Sequence, residues 1–139
     1  EARIAQSGDR SVRFVGPVFG DQKAQLLADA HLVCLPSHSE GLPMTILEAW
    51  ASGTPTLMTR HCHVDIGFAR GAAIETGTAP AEIADALRKV LAASPEAWRA
   101  MARSAAMLAE EQFSPAAIKA RWRAIYAKLL TEKVEGASP

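Results

Sequence analysis

Short apolar runs alternate along this chain with segments of helical periodicity, and this alternation limits the possible fold more than any other feature. Two of the runs, Leu32–Leu35 and Thr56–Met58, flank a stretch that starts as a polar loop and continues with helical spacing. Strands separated by helices are typical of a parallel sheet, because a parallel pair needs a long crossover connection. The sequence therefore predicts an α/β domain with a parallel sheet flanked by helices.

Four apolar runs have the length of strands. In Leu32–Leu35 the apolar residues are nearly continuous, as expected for a strand covered on both faces, and Cys34 is expected there as a small core residue. Pro36 ends this run. In chain order, the predicted strands are Val12–Gly16, Leu32–Leu35, Thr56–Met58 and Ala73–Glu75.

Capping residues indicate where the helices begin. Asp21 is a candidate N-cap for the first helix, and Pro43 suits the first position of a helix that ends before Gly53. Ser94-Pro95 and Ser114-Pro115 both combine a capping residue with a proline. The apolar stripes of the last three helices are Ile83, Leu87, Val90 and Leu91; Trp98, Met101, Ala105 and Leu108; and Ile118, Trp122, Ile125, Tyr126 and Leu129.

Composition narrows the class of protein. A chain of 139 residues has room for one compact domain, and its fifteen Lys and Arg residues balance fifteen Asp and Glu residues. Balanced charge does not point to nucleic-acid binding, which depends on a basic surface. Cys34 and Cys62 are too few for a disulfide framework, which favours a reducing, cytoplasmic compartment. No apolar stretch approaches the ~20 residues that span a bilayer.

The segment from 36 to 55 is the one that points to a ligand. Its loop, Ser37–Gly41, follows a predicted strand and leads into a helix, which is where ligands bind in open α/β sheets. First-turn amides lack intrahelical partners and carry partial positive charge, so they suit a phosphate. Gly41 allows a ligand to approach the backbone closely, whereas Pro43 has no N–H to donate. The predicted donors are the amides of Leu42, Met44 and Thr45.

Two carboxylates flank this predicted anion site. Glu40 precedes the helix, and Glu48 lies within it, about 7–8 Å along the axis from the first turn at ~1.5 Å per residue. Carboxylate oxygens accept hydrogen bonds from hydroxyl groups. A nucleotide sugar carries hydroxyls at both ends of its diphosphate, on the sugar and on the ribose, so the spacing fits such a ligand.

The same segment resembles the Glu-x7-Glu signature of GT-B glycosyltransferases, especially glycosyltransferase family 4, with Glu40 and Glu48 at the acidic positions. The continuation Glu48-Ala-Trp-Ala-Ser-Gly-Thr-Pro55 matches the family's Glu-Ala-x-Ala-x-Gly-x-Pro pattern. Similarity also covers 12–18 and 26–37 and extends loosely to about Leu130. The resemblance implies a Rossmann-like sheet, the C-terminal, donor-binding half of a GT-B enzyme.

Each matched position acquires an expected role from this resemblance. Glu40 would contact the transferred sugar and stabilise charge at its anomeric carbon, and Glu48 would bind the ribose hydroxyls. Lys23 would reach the base or the ribose edge. Main-chain contacts to the sugar and diphosphate would come from Gly41, Leu42, Met44 and Thr45, and the base would lie near Gly16 and Val18.

The resemblance also implies the reaction and its partners. Family members transfer sugar with retention of configuration from a nucleoside-diphosphate sugar to a carbohydrate or lipid-linked acceptor, generally without a metal, so no cofactor is expected. The basic residues that clamp the diphosphate and the N-terminal acceptor domain would lie upstream of Glu1. A donor domain at 1–131 with a disordered tail at 132–139 is then expected to be inactive alone. Its expected location is the cytoplasm, including the inner face of the membrane.

Other functions are compatible with the same residues. The alternatives are a sugar-nucleotide epimerase or a phosphorylase-like enzyme of GT-B fold, and a non-catalytic Rossmann-like binding module. Glu40 and Glu48 can also be surface carboxylates, and Lys23 a solvated lysine. A dinucleotide oxidoreductase is disfavoured because no Gly-x-Gly-x-x-Gly follows a strand. His61-Cys-His63 is a poor metal site, since consecutive residues rarely face one ion.

The C-terminal helix leaves two questions open. Its aromatic and aliphatic residues, together with Trp98, are expected as core anchors, unless the helix packs on another domain as the last helix of GT-B enzymes often does. Its basic residues form a solvated face or contact an anionic membrane. The apolar residues are Trp122, Ile125 and Tyr126. The basic residues are Lys119, Arg121, Arg123 and Lys128.

Overall fold

A computed structural model describes the backbone of residues 11–135 and the side chains of residues 11–131. Three short strands, β1 (Val33–Leu35), β2 (Thr56–Met58) and β3 (Ala73–Glu75), pair in parallel in the order β1-β2-β3. The register sets Leu35 beside Met58 and Met58 beside Glu75. The carboxyl ends of all three strands therefore meet at one edge of the sheet, as the alternating pattern predicts.

Helices connect and cover the strands. Within residues 11–135 there are six α-helices, one 3-10 turn and one π-helical turn. The α-helices are α1 (Gly20–Asp29), α2 (Met44–Ala51), α3 (Ile66–Ala69), α4 (Pro80–Leu91), α5 (Pro95–Leu108) and α6 (Pro115–Glu135); the 3-10 turn is Arg60–Cys62 and the π-helical turn is Ala109–Phe113.

Local capping chemistry explains several of these boundaries. Ser94 and Ser114 each accept a hydrogen bond at Oγ from the amide three residues on, at 3.2 Å, so both predicted helix starts are confirmed. Gly53 ends α2 with a φ of 73°, and the amide of Thr54 donates to the carbonyl of Ala49 at 2.8 Å. A backbone turn of this kind favours glycine because it has no Cβ to clash.

The core lies between α2, β2 and α5. Trp50 is fully buried, and its Nε1 donates to Thr56 Oγ1 at 3.1 Å, which joins α2 to β2. Gly67 in α3 lets the indole approach, since a Cβ there would lie 2.5 Å from Trp50 Cζ2. The cluster comprises Ile46, Trp50, Met58, Cys62, Val64, Ala72, Ala73, Ala105, Leu108 and Ala109.

Two predictions about strands are wrong. Val12–Gly16 forms no strand, and about half the surface of Val12, Phe14 and Val15 is exposed, because no described strand pairs with this segment. Cys34 is exposed rather than in the core, because β1 lies at the edge of the described sheet. The buried thiol is that of Cys62.

Helix details also differ from prediction. Asp21 lies inside the first turn of α1, whose N-cap is Phe19, and Pro43 is the N-cap of α2 rather than its first residue. Leu91 is 73% exposed and does not belong to the buried face of α4, which is formed by Ala86 and Val90.

The last helix projects from the body of the domain. Every described residue of α6 from Lys119 onward is exposed, including Trp122, Ile125 and Tyr126, so their prediction as core anchors is wrong. Arg121 in this stretch donates to Gln112 Oε1 of the π-helical turn at 2.9 Å. The helix continues to Glu135, four residues into the segment predicted as a tail, and residues 136–139 lie outside the described part. None of the described helices combines the length and the apolar character needed to cross a bilayer.

Candidate functional site

The amino end of α2 is open to solvent while the rest of the helix is anchored in the core. Ile46, Ala49 and Trp50 are buried, which fixes the axis of the helix against the sheet. The carbonyl of Pro43 accepts hydrogen bonds from the amides of Ile46 and Leu47, at 2.9 and 3.3 Å. The residues predicted to donate main-chain hydrogen bonds surround this end and are exposed: Gly41, Leu42, Met44 and Thr45. Amides at such a position have no intrahelical acceptor and favour an anion.

Glu40 is held by two hydrogen bonds just before this helix end. Its carboxylate accepts from Ser37 Oγ at 2.6 Å, and its backbone amide donates to the carbonyl of His61 at 3.0 Å. The residue is partly buried. The loop between β1 and α2 therefore presents this acid in a defined position.

The 3-10 turn after β2 supports that loop. Thr59 Oγ1 donates to the carbonyl of Ser37 at 2.6 Å. Arg60, the next residue, donates from Nε and Nη2 to the two carboxylate oxygens of Glu75, at 2.9 and 2.7 Å. Hydrogen bonding and charge from Glu75 raise the pKa of Arg60 above its already high ordinary value. The turn is thus tied to the end of β3.

Glu48 forms an ion pair with Lys23, so α2 is joined to α1 at this level. Three residues after the end of α2, Thr54 Oγ1 donates a hydrogen bond of 2.7 Å to the carbonyl of Leu27 in α1. Between them lies a cleft of about 410 Å³. It is lined by Phe19, Gly20, Lys23, Ala24, Leu27, Glu48, Ala51 and Ser52.

A second cleft, of about 330 Å³, lies on the other side of Glu48. Its walls come from α2, the end of α5, the π-helical turn and the start of α6. They are mostly apolar, with a second acid, Glu110, among them. The lining comprises Met44, Leu47, Glu48, Ala51, Ala106, Ala109, Glu110, Phe113, Ser114 and Pro115.

The structure brings some of the predicted site residues together and leaves others apart. Lys23 and Glu48 are in contact and line one cleft, whereas Gly16 and Val18 are not part of its lining. Among the described side chains, no contact joins Glu40 to Glu48. Glu40 is hydrogen-bonded to Ser37, and Glu48 is paired with Lys23. Their positions before and within α2 follow the predicted order along the helix axis.

Sequence reasoning missed residues on both sides of α2. Phe19 is 78% exposed and lines the cleft of Lys23 and Glu48. The signal is its place between Pro17 and Gly20, because proline and glycine mark a break between regular elements. Arg60 and Glu75 were also missed, although both lie at the carboxyl ends of predicted neighbouring strands.

The comparisons with known proteins agree with the fold. Residues 1–93 match the family model described as glycosyl transferases group 1. D-inositol 3-phosphate glycosyltransferase of Corynebacterium efficiens is 26% identical over 133 residues, which cover 94% of this chain and 31% of that protein. MMP alpha-(1->4)-mannosyltransferase of Mycolicibacterium hassiacum is 30% identical over 134 residues, which cover 94% of this chain and 32% of that protein. The chain thus spans about a third of the length of these curated relatives.

Proposed function

Since this chain belongs to the group 1 glycosyltransferases, we propose that it is the donor-binding domain of a retaining enzyme that uses a nucleoside-diphosphate sugar. The observation that carries the proposal is the pairing of Lys23 with Glu48 on the wall of a cleft beside α2. An acid, a cation and an exposed aromatic ring, that of Phe19, meet there. These groups suit ribose hydroxyls, a negatively charged nucleotide and a flat base, respectively.

In the proposed complex the diphosphate lies at the amino end of α2. The amides of Met44 and Thr45, two exposed residues of the first turn of α2, would donate hydrogen bonds to its oxygens, and the helix dipole would favour its charge. Glu48 would accept hydrogen bonds from the ribose on one side of this end of the helix. Glu40 would face the sugar on the other side.

Charge decides which of the two clefts beside Glu48 receives the nucleotide. The cleft toward α1 contains Lys23, which offsets the charge of Glu48. The cleft toward α5 contains a second acid, Glu110, and would repel a diphosphate. We therefore assign the nucleotide to the cleft toward α1, whose 410 Å³ volume is in the usual range for ligand sites.

Glu40 is proposed as the group that stabilises the transition state of sugar transfer. Positive charge develops at the anomeric carbon as the nucleotide departs, and a fixed carboxylate nearby lowers the energy of that state. The hydrogen bonds from Ser37 and to His61 hold Glu40 before the donor arrives, so little reorganisation is required. The acceptor, a carbohydrate or a lipid-linked carbohydrate, would bind to another part of the intact enzyme, in the cytoplasm or at the inner membrane face.

The assay that tests this function uses the intact protein with nucleoside-diphosphate sugars and a panel of carbohydrate acceptors. A glycoside whose anomeric configuration equals that of the donor is the expected product, and Glu40→Gln is expected to abolish its formation. An altered sugar nucleotide formed without acceptor would establish an epimerase instead. Absence of nucleotide binding in the intact protein would favour a non-catalytic module.

A further inference from the structure

We infer that the 3-10 turn Arg60–Cys62 and its N-cap Thr59 position Glu40 for sugar transfer, with Thr59 and Arg60 as the positioning residues. This inference rests on the proposed role of Glu40. It adds two residues that touch neither the nucleotide cleft nor, through their side chains, the carboxylate itself.

Two hydrogen bonds attach the acid-bearing loop to this turn. Thr59 Oγ1 donates to the carbonyl of Ser37 at 2.6 Å, and the carbonyl of His61 accepts from the amide of Glu40 at 3.0 Å. Ser37 in turn donates from Oγ to the Glu40 carboxylate at 2.6 Å. The turn thus holds the loop at both Ser37 and Glu40, so a shift of the turn would move the carboxylate.

Arg60 lies between the two attachment points and anchors the turn to the sheet. Both carboxylate oxygens of Glu75 accept from its guanidinium, and Asp65 accepts from Nη1 at 3.3 Å. Glu75 is the last residue of β3 and pairs in register with Met58 of β2. The guanidinium also lies over the ring of Phe68, 5.3 Å from its centre. The Arg60 side chain is 61% exposed, so the link of this three-residue turn to β3 depends on the two-point geometry of the Glu75 pair rather than on burial.

Thr59 allows the loop contact to be tested without opening a cavity. It is 2% exposed, and Val has nearly the same shape but cannot donate a hydrogen bond to the Ser37 carbonyl. Ser retains the hydroxyl and loses only a methyl group. Thr59→Val and Thr59→Ser therefore form a matched pair that separates the hydrogen bond from packing.

Loss of positioning has a kinetic signature that loss of stability does not share. The turn contributes no residue to the cleft of Lys23 and Glu48, so nucleotide affinity is expected to be unchanged. A displaced catalytic carboxylate lowers kcat, because a misplacement of about 1 Å costs up to roughly 100-fold. Thr59→Val and Arg60→Met are accordingly expected to lower kcat roughly 10- to 100-fold at an unchanged Kd for the nucleoside diphosphate.

The test combines kinetics with hydrogen exchange on the intact protein. In Thr59→Val and Arg60→Met, the amide of Glu40 is expected to exchange faster than in the wild type, while Thr59→Ser keeps both wild-type exchange and wild-type kcat. Arg99→Met is the control for loss of an arginine, since Arg99 pairs with Glu96 on the surface of α5 at 3.5 Å. Arg99→Met is expected to change neither kcat, nor the Kd for the nucleoside diphosphate, nor the exchange rate of the Glu40 amide.

The outcomes separate this inference from the proposed function. If Glu40→Gln abolishes transfer but Thr59→Val keeps wild-type kcat and wild-type exchange at Glu40, the positioning role is refuted and the proposed function stands. If Glu40→Gln transfers sugar at the wild-type rate, the proposed function is refuted, and the positioning role with it. A fall in kcat accompanied by an equal loss of nucleotide affinity would show general damage to the domain and would also overturn the inference.

Discussion

The carboxylate of Glu48 forms an ion pair with the ammonium group of Lys23, which joins the middle of α2 to the first turn of α1. Both residues line the cleft between the helices and place opposite charges at its wall. In the proposed complex the acid faces ribose hydroxyls while the cation remains close to the charged nucleotide.

Replacing Glu48 by Ala is expected to weaken binding of a nucleoside diphosphate to the intact protein. A charged hydrogen-bond acceptor for the ribose would be lost, at about 1–3 kcal/mol, or roughly 5- to 150-fold in Kd. Calorimetry measures the difference. Glu96→Ala is the control, because Glu96 is an exposed acid paired with Arg99 on α5. Equal losses in the two variants would contradict the assignment of the ribose to Glu48.

Replacing Phe19 by Ala is expected to weaken nucleotide binding without lowering stability. Phe19 is 78% exposed, so little packing is lost on truncation. A base stacked on the ring would lose about 1–3 kcal/mol. Phe19→Tyr keeps the aromatic surface and is expected to bind like the wild type. If Phe19→Ala binds nucleotide with wild-type affinity, the base lies elsewhere.

Gly67→Ala is expected to destabilise the domain. Its Cβ would lie 2.5 Å from the buried ring of Trp50 and 3.2 Å from Ala73 Cβ, so the core would have to shift. Overpacking of this kind costs about 1–3 kcal/mol in the free energy of unfolding, measured by urea denaturation. Gly41→Ala serves for comparison, because a Cβ there would meet no atom within 4 Å. Equal stability of the two variants would show that α3 is not packed against the indole as described.

The two thiols are expected to differ in reactivity, with the more accessible one being Cys34, which the sequence predicted as a core residue. Cys34 is exposed and Cys62 is buried, so iodoacetamide should modify Cys34 in the folded protein and Cys62 only after unfolding. Desolvation raises the pKa of both thiols, which lowers the thiolate fraction at neutral pH. Labelling of Cys34, followed by mass spectrometry, should therefore be slower at pH 7 than that of a free thiol and accelerate with rising pH. Modification of Cys62 before Cys34 in the folded protein would contradict the burial of Cys62.

The parts of the fold that depend on local chemistry were predictable from the sequence. The strands Thr56–Met58 and Ala73–Glu75 have the predicted bounds, and Ser94 and Ser114 cap helices as expected. The prediction of a strand at Val12–Gly16 is wrong because an apolar run becomes a strand only where a partner strand pairs with it. The predicted burial of Cys34 is wrong because it depends on the position of β1, which lies at the edge of the described sheet. No local sequence pattern reveals that position.

The spacing of the acids in the candidate site was predictable from the sequence, whereas their tertiary contacts were not. The spacing of Glu40 and Glu48 about the start of a helix could be derived from residue types and helix geometry. Their partners could not, because Glu40 contacts His61, 21 residues away, and Glu48 contacts Lys23, 25 residues away, through the tertiary fold. The roles of both acids remain predictions that depend on where the donor binds.

A crystal structure of the intact protein with a nucleoside-diphosphate sugar tests the central proposal most directly. The proposal predicts diphosphate oxygens within hydrogen-bond distance of the amides of Met44 and Thr45, the ribose at Glu48 and the sugar at Glu40. A diphosphate bound in the cleft of Glu110, or away from the amino end of α2, would contradict it.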